Sequence, residues 1–107
     1  MKVKEISIIK LILAIQQQEG WNKKNSLSRR NNNPGNLKMG KMARRFGAVT
    51  MDKHHHAIFP TEHDGRGALV TLLLEKFWNM ELLEVGKIYA EDTNWGASVE
   101  KIIKSQD

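Results

Sequence analysis

The stretch AIQQQEGWN, residues 14–22, ends a long apolar segment with one acid, one glycine and one tryptophan. Residues three and four apart share a helix face, so Ile8, Ile12 and Ile15 form a stripe that ends in Glu19. We therefore expect the acid at the edge of a hydrophobic core. Partial burial raises the pKa of a carboxyl group because it disfavours the charged form, and a general acid working near neutral pH needs such a shift.

Glu19 also has a simpler interpretation, as a solvated residue in the last turn of an ordinary helix, since most glutamates are exposed. Gly20 suits the left-handed conformation that ends many helices, and Trp21 offers a flat apolar wall beside the acid. The junction alone does not decide between a catalytic and a solvated Glu19.

The composition is that of one globular domain, residues 1–107, which is long enough for a single core. The absence of cysteine excludes disulfides, thiolate catalysis and sulfur-ligated zinc, and it leaves the redox compartment open. The net charge of +5 favours anionic partners, among which nucleic acid, anionic lipid and bacterial cell wall all qualify. The basic residues are spread along the chain, and this pattern argues against specific nucleic-acid binding.

The apolar run near the N-terminus superficially resembles a signal peptide. Lys10 interrupts it, three glutamines follow it, and no small-residue cleavage site appears, so we interpret it as part of the folded domain. No stretch reaches the roughly 20 apolar residues that a membrane span requires.

Apolar spacing predicts a buried central helix over residues 3–18, with a narrow polar stripe. A second helix is predicted from about residue 61 to 79, with Thr61 as its N-cap and Asp64 as capping-box partner. Two shorter helices are expected over 82–90 and 97–104. Trp78 falls at a helical position and is assigned to the core.

The segment between the two long helices predicts turns and short strands. The run NNNPGN, residues 31–36, is a dense turn signal, and a type II turn would place Gly35 at positive φ after Pro34. Residues 37–39, 48–51 and 56–59 are candidate strands. The predicted fold class is therefore α+β, predominantly α, with a small β-hairpin, sheet or long loop inserted between core helices.

The order of these motifs carries a family resemblance. QEGW at 18–21, RNNNPGN at 30–36 and AIFPT at 57–61, followed by GAL at 67–69, together resemble the lysozyme-like superfamily of peptidoglycan-cleaving enzymes. Lytic transglycosylases and bacterial glucosaminidases carry Glu-Ser-Gly and then an aromatic residue; the latter also carry Asn-Asn-x-x-Gly-Ile-Lys, which residues 32–38 approximate. Small phage-associated and plasmid-associated transglycosylase-like proteins contain Arg-Asn-Asn-Asn-Pro-Gly-Asn. The resemblance covers roughly residues 8 to 100.

Two positions depart from the family pattern. The serine after the catalytic glutamate is absent, since Gly20 follows Glu19 directly. Many relatives place a tyrosine near the acid, and the nearest counterparts here are Tyr89 and Trp95, of which Trp95 has the required spacing to Val99.

The resemblance implies a lysozyme-like fold in which Glu19 protonates the β-1,4 glycosidic oxygen between N-acetylmuramic acid and N-acetylglucosamine. A two-carboxylate hydrolase needs a second acid at roughly 5 to 9 Å. Asp52, Glu62 and Asp64 are the candidates, but a helix N-terminus explains Glu62 and Asp64 equally well. The one-acid chemistry of a lytic transglycosylase is therefore favoured over that of a muramidase.

The expected substrate-binding residues surround that acid. Amide side chains suit sugar hydroxyls and N-acetyl groups, and aromatic rings suit sugar faces. Asn31 and Asn32 are assigned to the turn, whereas Asn36 is the better candidate for substrate contact. The full set of substrate-binding candidates is Trp21, Asn33, Asn36, Phe59, Thr61, Tyr89 and Trp95.

Four histidines raise the question of a metal site. His54 and His56 would share a strand face, but no carboxylate stands at ligand spacing, so neither a metal nor another cofactor is predicted.

Three alternatives remain: an endo-β-N-acetylglucosaminidase, a non-catalytic wall-binding or virion structural protein, and a small basic nucleic-acid binder. The expected partner is the peptidoglycan glycan strand, bound by a monomer without a membrane span. The expected place of action is the bacterial cell wall, reached by phage lysis or a dedicated export route.

Overall fold

Six α-helices and one two-stranded sheet form the part of the chain that the computed structural model describes, residues 1–106. The helices are α1 Ile8–Gln18, α2 Leu27–Arg30, α3 Lys41–Arg45, α4 Glu62–Glu75, α5 Leu82–Tyr89 and α6 Trp95–Ser105. Strands β1 Thr50–Met51 and β2 Ala57–Ile58 lie between α3 and α4, and a 3-10 turn, Val3–Glu5, precedes α1. The predicted α-rich α+β class is confirmed.

Helix α1 starts later than predicted. It begins at Ile8 because the Ser7 side chain accepts a hydrogen bond from the backbone N–H of Lys10 at 3.5 Å. The residues before α1 hydrogen-bond to the segment that precedes α5, since the N–H of Val3 donates to the carbonyl of Met80 at 3.0 Å. The end of the helix is as predicted, with Gly20 in the left-handed region at φ 83°.

One face of α1 supplies the centre of the core, and the other is open. Leu11, Ala14 and Ile15 are fully buried, whereas Ile9 and Leu13 are exposed. Helices α5 and α6 pack against each other, and α6 also packs along α1. Leu73 of α4 and Val85, Val99 and other aliphatic side chains complete the cluster. The helix is thus buried on one side only, rather than over most of its circumference.

The asparagine turn differs from the predicted type II turn. The N–H of Asn36 donates to the carbonyl of Asn33 at 3.0 Å, but the positive φ values fall on Asn32 and Asn36, not on Gly35. Asparagine tolerates this region better than most residues, because its short side chain hydrogen-bonds locally. Gly35 is needed for close approach instead, since an added Cβ would collide with the Tyr89 hydroxyl.

The sheet is smaller than predicted. Strands β1 and β2 pair antiparallel with Thr50 opposite Ile58, and the third predicted strand is reduced to one bridge between Lys38 and His56. Helices α2 and α3 occupy stretches whose composition predicts loop or weak strand. Each has only four or five residues, too few for the apolar periodicity to be visible.

Helix α4 begins where predicted and ends early. The Thr61 hydroxyl oxygen accepts from the N–H of Asp64 at 3.1 Å, which is the predicted N-cap. The helix stops at Glu75 rather than near residue 79, and Trp78 is half-buried against the core. Helices α5 and α6 match the predicted pair within two residues at each end. None of the helices within residues 1–106 is both long and apolar enough to cross a membrane.

Candidate active site around Glu19

Glu19 lies where three distant parts of the chain meet. It is the residue that follows α1, and Trp95, the first residue of α6, donates its indole N–H to Glu19 Oε2 at 2.8 Å. Asn36 of the asparagine turn donates from Nδ2 to Glu19 Oε1 at 3.4 Å and to the Glu19 backbone carbonyl at 3.2 Å. Both carboxylate oxygens therefore have a fixed donor.

Burial raises the pKa of Glu19 above its ordinary value, because the partly buried site disfavours the charged form. Three weaker influences act in the opposite direction: the hydrogen bonds from Trp95 and Asn36, and the charge interaction with His56. Desolvation outweighs them. The site thus favours a protonated carboxyl at a higher pH than an exposed glutamate would allow.

Asn36 has unused hydrogen-bonding capacity at this site. Within residues 1–106, its Oδ1 is buried and accepts no hydrogen bond. A buried acceptor without a donor costs about 1–3 kcal/mol, and this cost falls directly beside the perturbed acid. Asn36 is also the amide for which the sequence predicts substrate contact, but its Oδ1 is not exposed to a ligand in this arrangement.

Tyr89 stands behind Trp95 rather than beside the acid. The two rings are 5.0 Å apart, and the Tyr89 hydroxyl donates to the carbonyl of Gly35. Burial, reinforced by the charge of Glu19, raises the pKa of Tyr89 well above its ordinary value, so the phenol stays neutral. Of the two predicted counterparts of the family tyrosine, Trp95 therefore contacts the acid and Tyr89 supports Trp95.

Asp52 is held in the loop between β1 and β2. Burial alone would raise its pKa, but hydrogen bonds from the backbone of His56 and His54, from the Asn31 amide and from the His56 ring outweigh this effect. The pKa of Asp52 therefore lies well below its ordinary value. The Asn31 amide is 2.9 Å and the His56 Nδ1 3.1 Å from Asp52 Oδ2.

The other two candidate acids are also engaged. Glu62 accepts from Arg66 at 3.1 Å, and Asp64 accepts from the Thr61 hydroxyl at 2.9 Å. Each of the three carboxylates considered as a second acid thus has a local structural role.

Trp21 does not present an open face for a sugar. Its side chain is only 5% exposed, and the guanidinium of Arg29 lies 3.9 Å from the ring centroid, with that of Arg66 at 5.6 Å. These cation–π contacts hold the ring against the fold next to the acid. We therefore correct the expected sugar-stacking role to a supporting one.

Three other predicted substrate residues are occupied by the fold. Asn33 is fully buried, where it donates to the carbonyls of Leu37 and Ala57 and accepts from the Leu37 N–H. Phe59 is 2% exposed and belongs to the core, so its ring cannot reach a sugar. Thr61 is the cap of α4. In this structure they position the turn, the hairpin and the helix rather than line a cleft.

Several residues at the site had no visible signal in the sequence. Trp21 is surrounded by Arg29, Arg66 and Gln16. Arg66 Nε donates to Gln16 Oε1 at 2.9 Å, although the two residues are 50 positions apart in the sequence. His56 reaches Glu19 electrostatically because the bridge to Lys38 brings β2 beside the segment that follows Asn36. The spacing of Asp52 and His56 within one short loop is the signal from which their pairing could have been predicted. No cluster of three or more metal-binding side chains occurs within residues 1–106.

Comparison with protein-family models, with curated proteins and with solved structures finds no match to this chain.

Proposed function

We propose that this chain is a lysozyme-like enzyme that cleaves the glycan strands of peptidoglycan as a lytic transglycosylase, with Glu19 as its acid and base. The observation that carries the proposal is the environment of the Glu19 carboxyl: burial raises its pKa, and Trp95 and Asn36 orient it. Catalytic acids are often tuned in this way.

The order of elements supports a lysozyme-like fold. A helix ends in the acid, and the asparagine turn follows the short helix α2. After α3, a short antiparallel hairpin leads to a capped helix that returns to the core. This order agrees with the resemblance of motifs at 18–21, 30–36 and 57–61 to the lysozyme-like superfamily.

The reaction needs one carboxyl group. Protonated Glu19 gives its proton to the β-1,4 glycosidic oxygen, and the bond from that oxygen to C1 of N-acetylmuramic acid breaks. The 6-hydroxyl of the same muramyl sugar attacks C1 and loses its proton to the Glu19 carboxylate. The products are a 1,6-anhydromuramyl end and an N-acetylglucosamine end with a free 4-hydroxyl, and Glu19 is protonated again.

The surrounding residues have separate parts in this scheme. Trp95 can only donate through its indole nitrogen, so it holds Oε2 and leaves the transferable proton to Oε1. Asn36 donates through Nδ2 to Oε1 and so fixes the orientation of the oxygen that carries the proton.

The two-acid hydrolysis of a muramidase has less support. A second carboxylate must face the sugar or hold the attacking water. Asp52 is engaged by four hydrogen bonds, three from its own loop and one from Asn31. Glu62 accepts from Arg66, and Asp64 accepts from Thr61 at the start of α4.

Digestion of purified peptidoglycan, with product ends identified by mass spectrometry, tests the proposal. We expect 1,6-anhydro ends from the wild type and none from Glu19→Gln, while Glu84→Gln, at an exposed acid paired with Lys87, keeps full activity. Reducing muramyl ends alone would indicate a muramidase, and reducing N-acetylglucosamine ends the endo-β-N-acetylglucosaminidase alternative. Wall binding without cleavage, unchanged by Glu19→Gln, would indicate a non-catalytic protein.

A further inference from the structure

A groove of about 650 Å³ lies between α3, the C-terminal ends of α4 and α5, and the segment after the asparagine turn. Its floor is apolar and includes Leu37, Leu72, Phe77 and Tyr89. We call it the Tyr89 groove. Its volume is in the range of roughly 300–1,000 Å³ that small ligands occupy.

The rim of the Tyr89 groove is strongly basic. The rim contains one acidic side chain, Glu75, and four basic ones: Lys38, Lys41, Arg45 and Lys76. Glu75 is already paired with Arg45 at 3.1 Å. Within residues 1–106, Lys41 and Lys76 are exposed and have no carboxylate partner, so the rim offers uncompensated positive charge above an apolar floor.

The groove and the Glu19 site share a wall. Tyr89 lines the groove, and its ring packs at a tilt of 34° against Trp95, with 5.0 Å between the ring centroids; Trp95 in turn donates to Glu19. Leu37, on the floor, directly follows Asn36, which also contacts Glu19. The Trp95 and Tyr89 rings thus separate Glu19 from the groove on one side, and the link from Asn36 to Leu37 joins the two sites on the other.

The lining does not suit the glycan itself. A neutral sugar calls for amide and hydroxyl partners, but every polar side chain in the groove is ionic except the Tyr89 phenol, whose hydroxyl is bonded to Gly35. An acidic ligand with small apolar groups matches both the floor and the rim.

We propose that the Tyr89 groove binds the peptide stem that peptidoglycan carries on N-acetylmuramic acid, an inference that rests on the proposed function. The stem combines alanine methyl groups with free carboxylates, and its attachment to the muramyl lactyl group places it beside the bond that Glu19 would cleave. A fully extended stem of four or five residues spans roughly 13–18 Å. The groove thereby selects peptide-bearing over bare glycan.

Direct binding is measured by NMR with the synthetic pentapeptide N-acetyl-L-Ala–γ-D-Glu–L-Lys–D-Ala–D-Ala, whose blocked N-terminus reproduces the lactyl amide and leaves a net negative charge. We expect shifts confined to residues 37–45 and 72–89. The double change Lys41→Gln and Lys76→Gln should weaken binding by about 3- to 10-fold, since it removes two exposed charge contacts. The matched pair Lys101→Gln and Lys104→Gln, which removes the same charge from α6, should leave affinity unchanged. Equal loss in both double variants, or equal affinity for a peptide with amidated carboxylates, would overturn the proposal.

Cleavage assays distinguish failure of the inference from failure of the proposed function. We expect intact peptidoglycan to be cleaved with a higher kcat/KM than strands stripped of stems by an amidase, and the groove variant to lose only that advantage. Equal rates on both substrates, abolished alike by Glu19→Gln, would overturn the groove assignment and leave the reaction standing. Pentapeptide binding at the groove without cleavage of either substrate would support the peptide site and overturn the proposed reaction.

Discussion

At the scale of single residues, Glu19 differs from the other acids of the chain in the balance between burial and hydrogen bonding. At Glu19 two side-chain donors fail to offset desolvation, so the pKa rises. At Asp52 the combined effect of four hydrogen bonds exceeds that of desolvation, so the pKa falls. The same chemical group is thus suited to proton donation at one position and to fixing a loop at the other.

Removing the indole donor should move the Glu19 pKa upwards. In Trp95→Phe the carboxylate loses a hydrogen bond that favours its charged form, so the pKa of Glu19 rises further. NMR titration of the ¹³C-labelled Glu19 carboxyl measures the shift, with Glu19→Gln for assignment. Trp78→Phe, at a half-buried tryptophan without a hydrogen bond to the acid, should leave it unchanged. A lower pKa in Trp95→Phe would show that the variant admits water and that burial depends on the indole.

Glu19→Gln should stabilise the fold at neutral pH. A raised folded-state pKa contributes stability that is fully present below the unfolded value of 4.5 and is lost as pH rises through the folded value. Above that value the folded wild type must hold a charged carboxylate in a partly buried site, whereas the glutamine variant holds a neutral amide there. We expect Tm to rise by a few degrees at pH 7.5, since 1 kcal/mol corresponds to roughly 4–8 °C in a domain of similar size. The difference should vanish at pH 4; an equal or lower Tm at pH 7.5 would contradict the prediction.

At the scale of elements, the site depends on how closely the asparagine turn approaches its neighbours. Asn33 joins the turn to β2 through hydrogen bonds to Leu37 and Ala57. Gly65, in the first turn of α4, lies against the Asn32 carbonyl. Without these contacts nothing local would hold Asn36 beside Glu19, because the two residues are 17 positions apart.

Gly65→Ala should destabilise the protein. Alanine normally stabilises a helix interior by about 1 kcal/mol relative to glycine, but here the added Cβ would collide with the Asn32 carbonyl and lie 3.0 Å from Pro34. We expect a net loss of about 1–3 kcal/mol in the free energy of unfolding, measured with urea. Gly40→Ala is the control, since a Cβ added at Gly40 would meet nothing within 4 Å. Gly65→Ala as stable as the wild type would mean that helix and turn can separate freely.

At the scale of the whole molecule, charge and topology act together. The net charge is +5, and the uncompensated lysines of the Tyr89 groove are Lys41 in α3 and Lys76 directly after α4. The residues that meet at Glu19 come from α1, the asparagine turn and α6, with Trp95 76 positions away. The whole chain must therefore fold before the site exists, and none of its parts forms the site alone.

The positive field should make wall binding sensitive to salt. Exposed charges are screened beyond roughly 8–10 Å at physiological ionic strength, so affinity for purified sacculi should fall steadily from low to high NaCl. Co-sedimentation with Glu19→Gln measures binding without cleavage. The Lys41→Gln and Lys76→Gln variant should show a weaker salt dependence than the Lys101→Gln and Lys104→Gln control. Equal slopes for the two variants would mean that overall charge, rather than the groove, controls binding.

The sequence by itself determined the features that depend on neighbours within a few positions. The apolar stripe into Glu19, the stop at Gly20, the Thr61 cap and the positions of α4, α5 and α6 follow from helical spacing and capping, which are local. Helices α2 and α3 cannot be predicted in this way, because four or five residues are too few to show the helical repeat of apolar positions.

Only the tertiary structure decided which side chains meet. Trp95 contacts Glu19 and Tyr89 stands behind it; Phe59 and Asn33 are buried, and Arg29 covers Trp21. A sequence pattern states that an aromatic or amide side chain is present, but its exposure depends on the packing of elements that lie far apart in the chain. The raised pKa of Glu19 has the same origin, because desolvation is produced by the surrounding fold and not by the residues next to it in sequence.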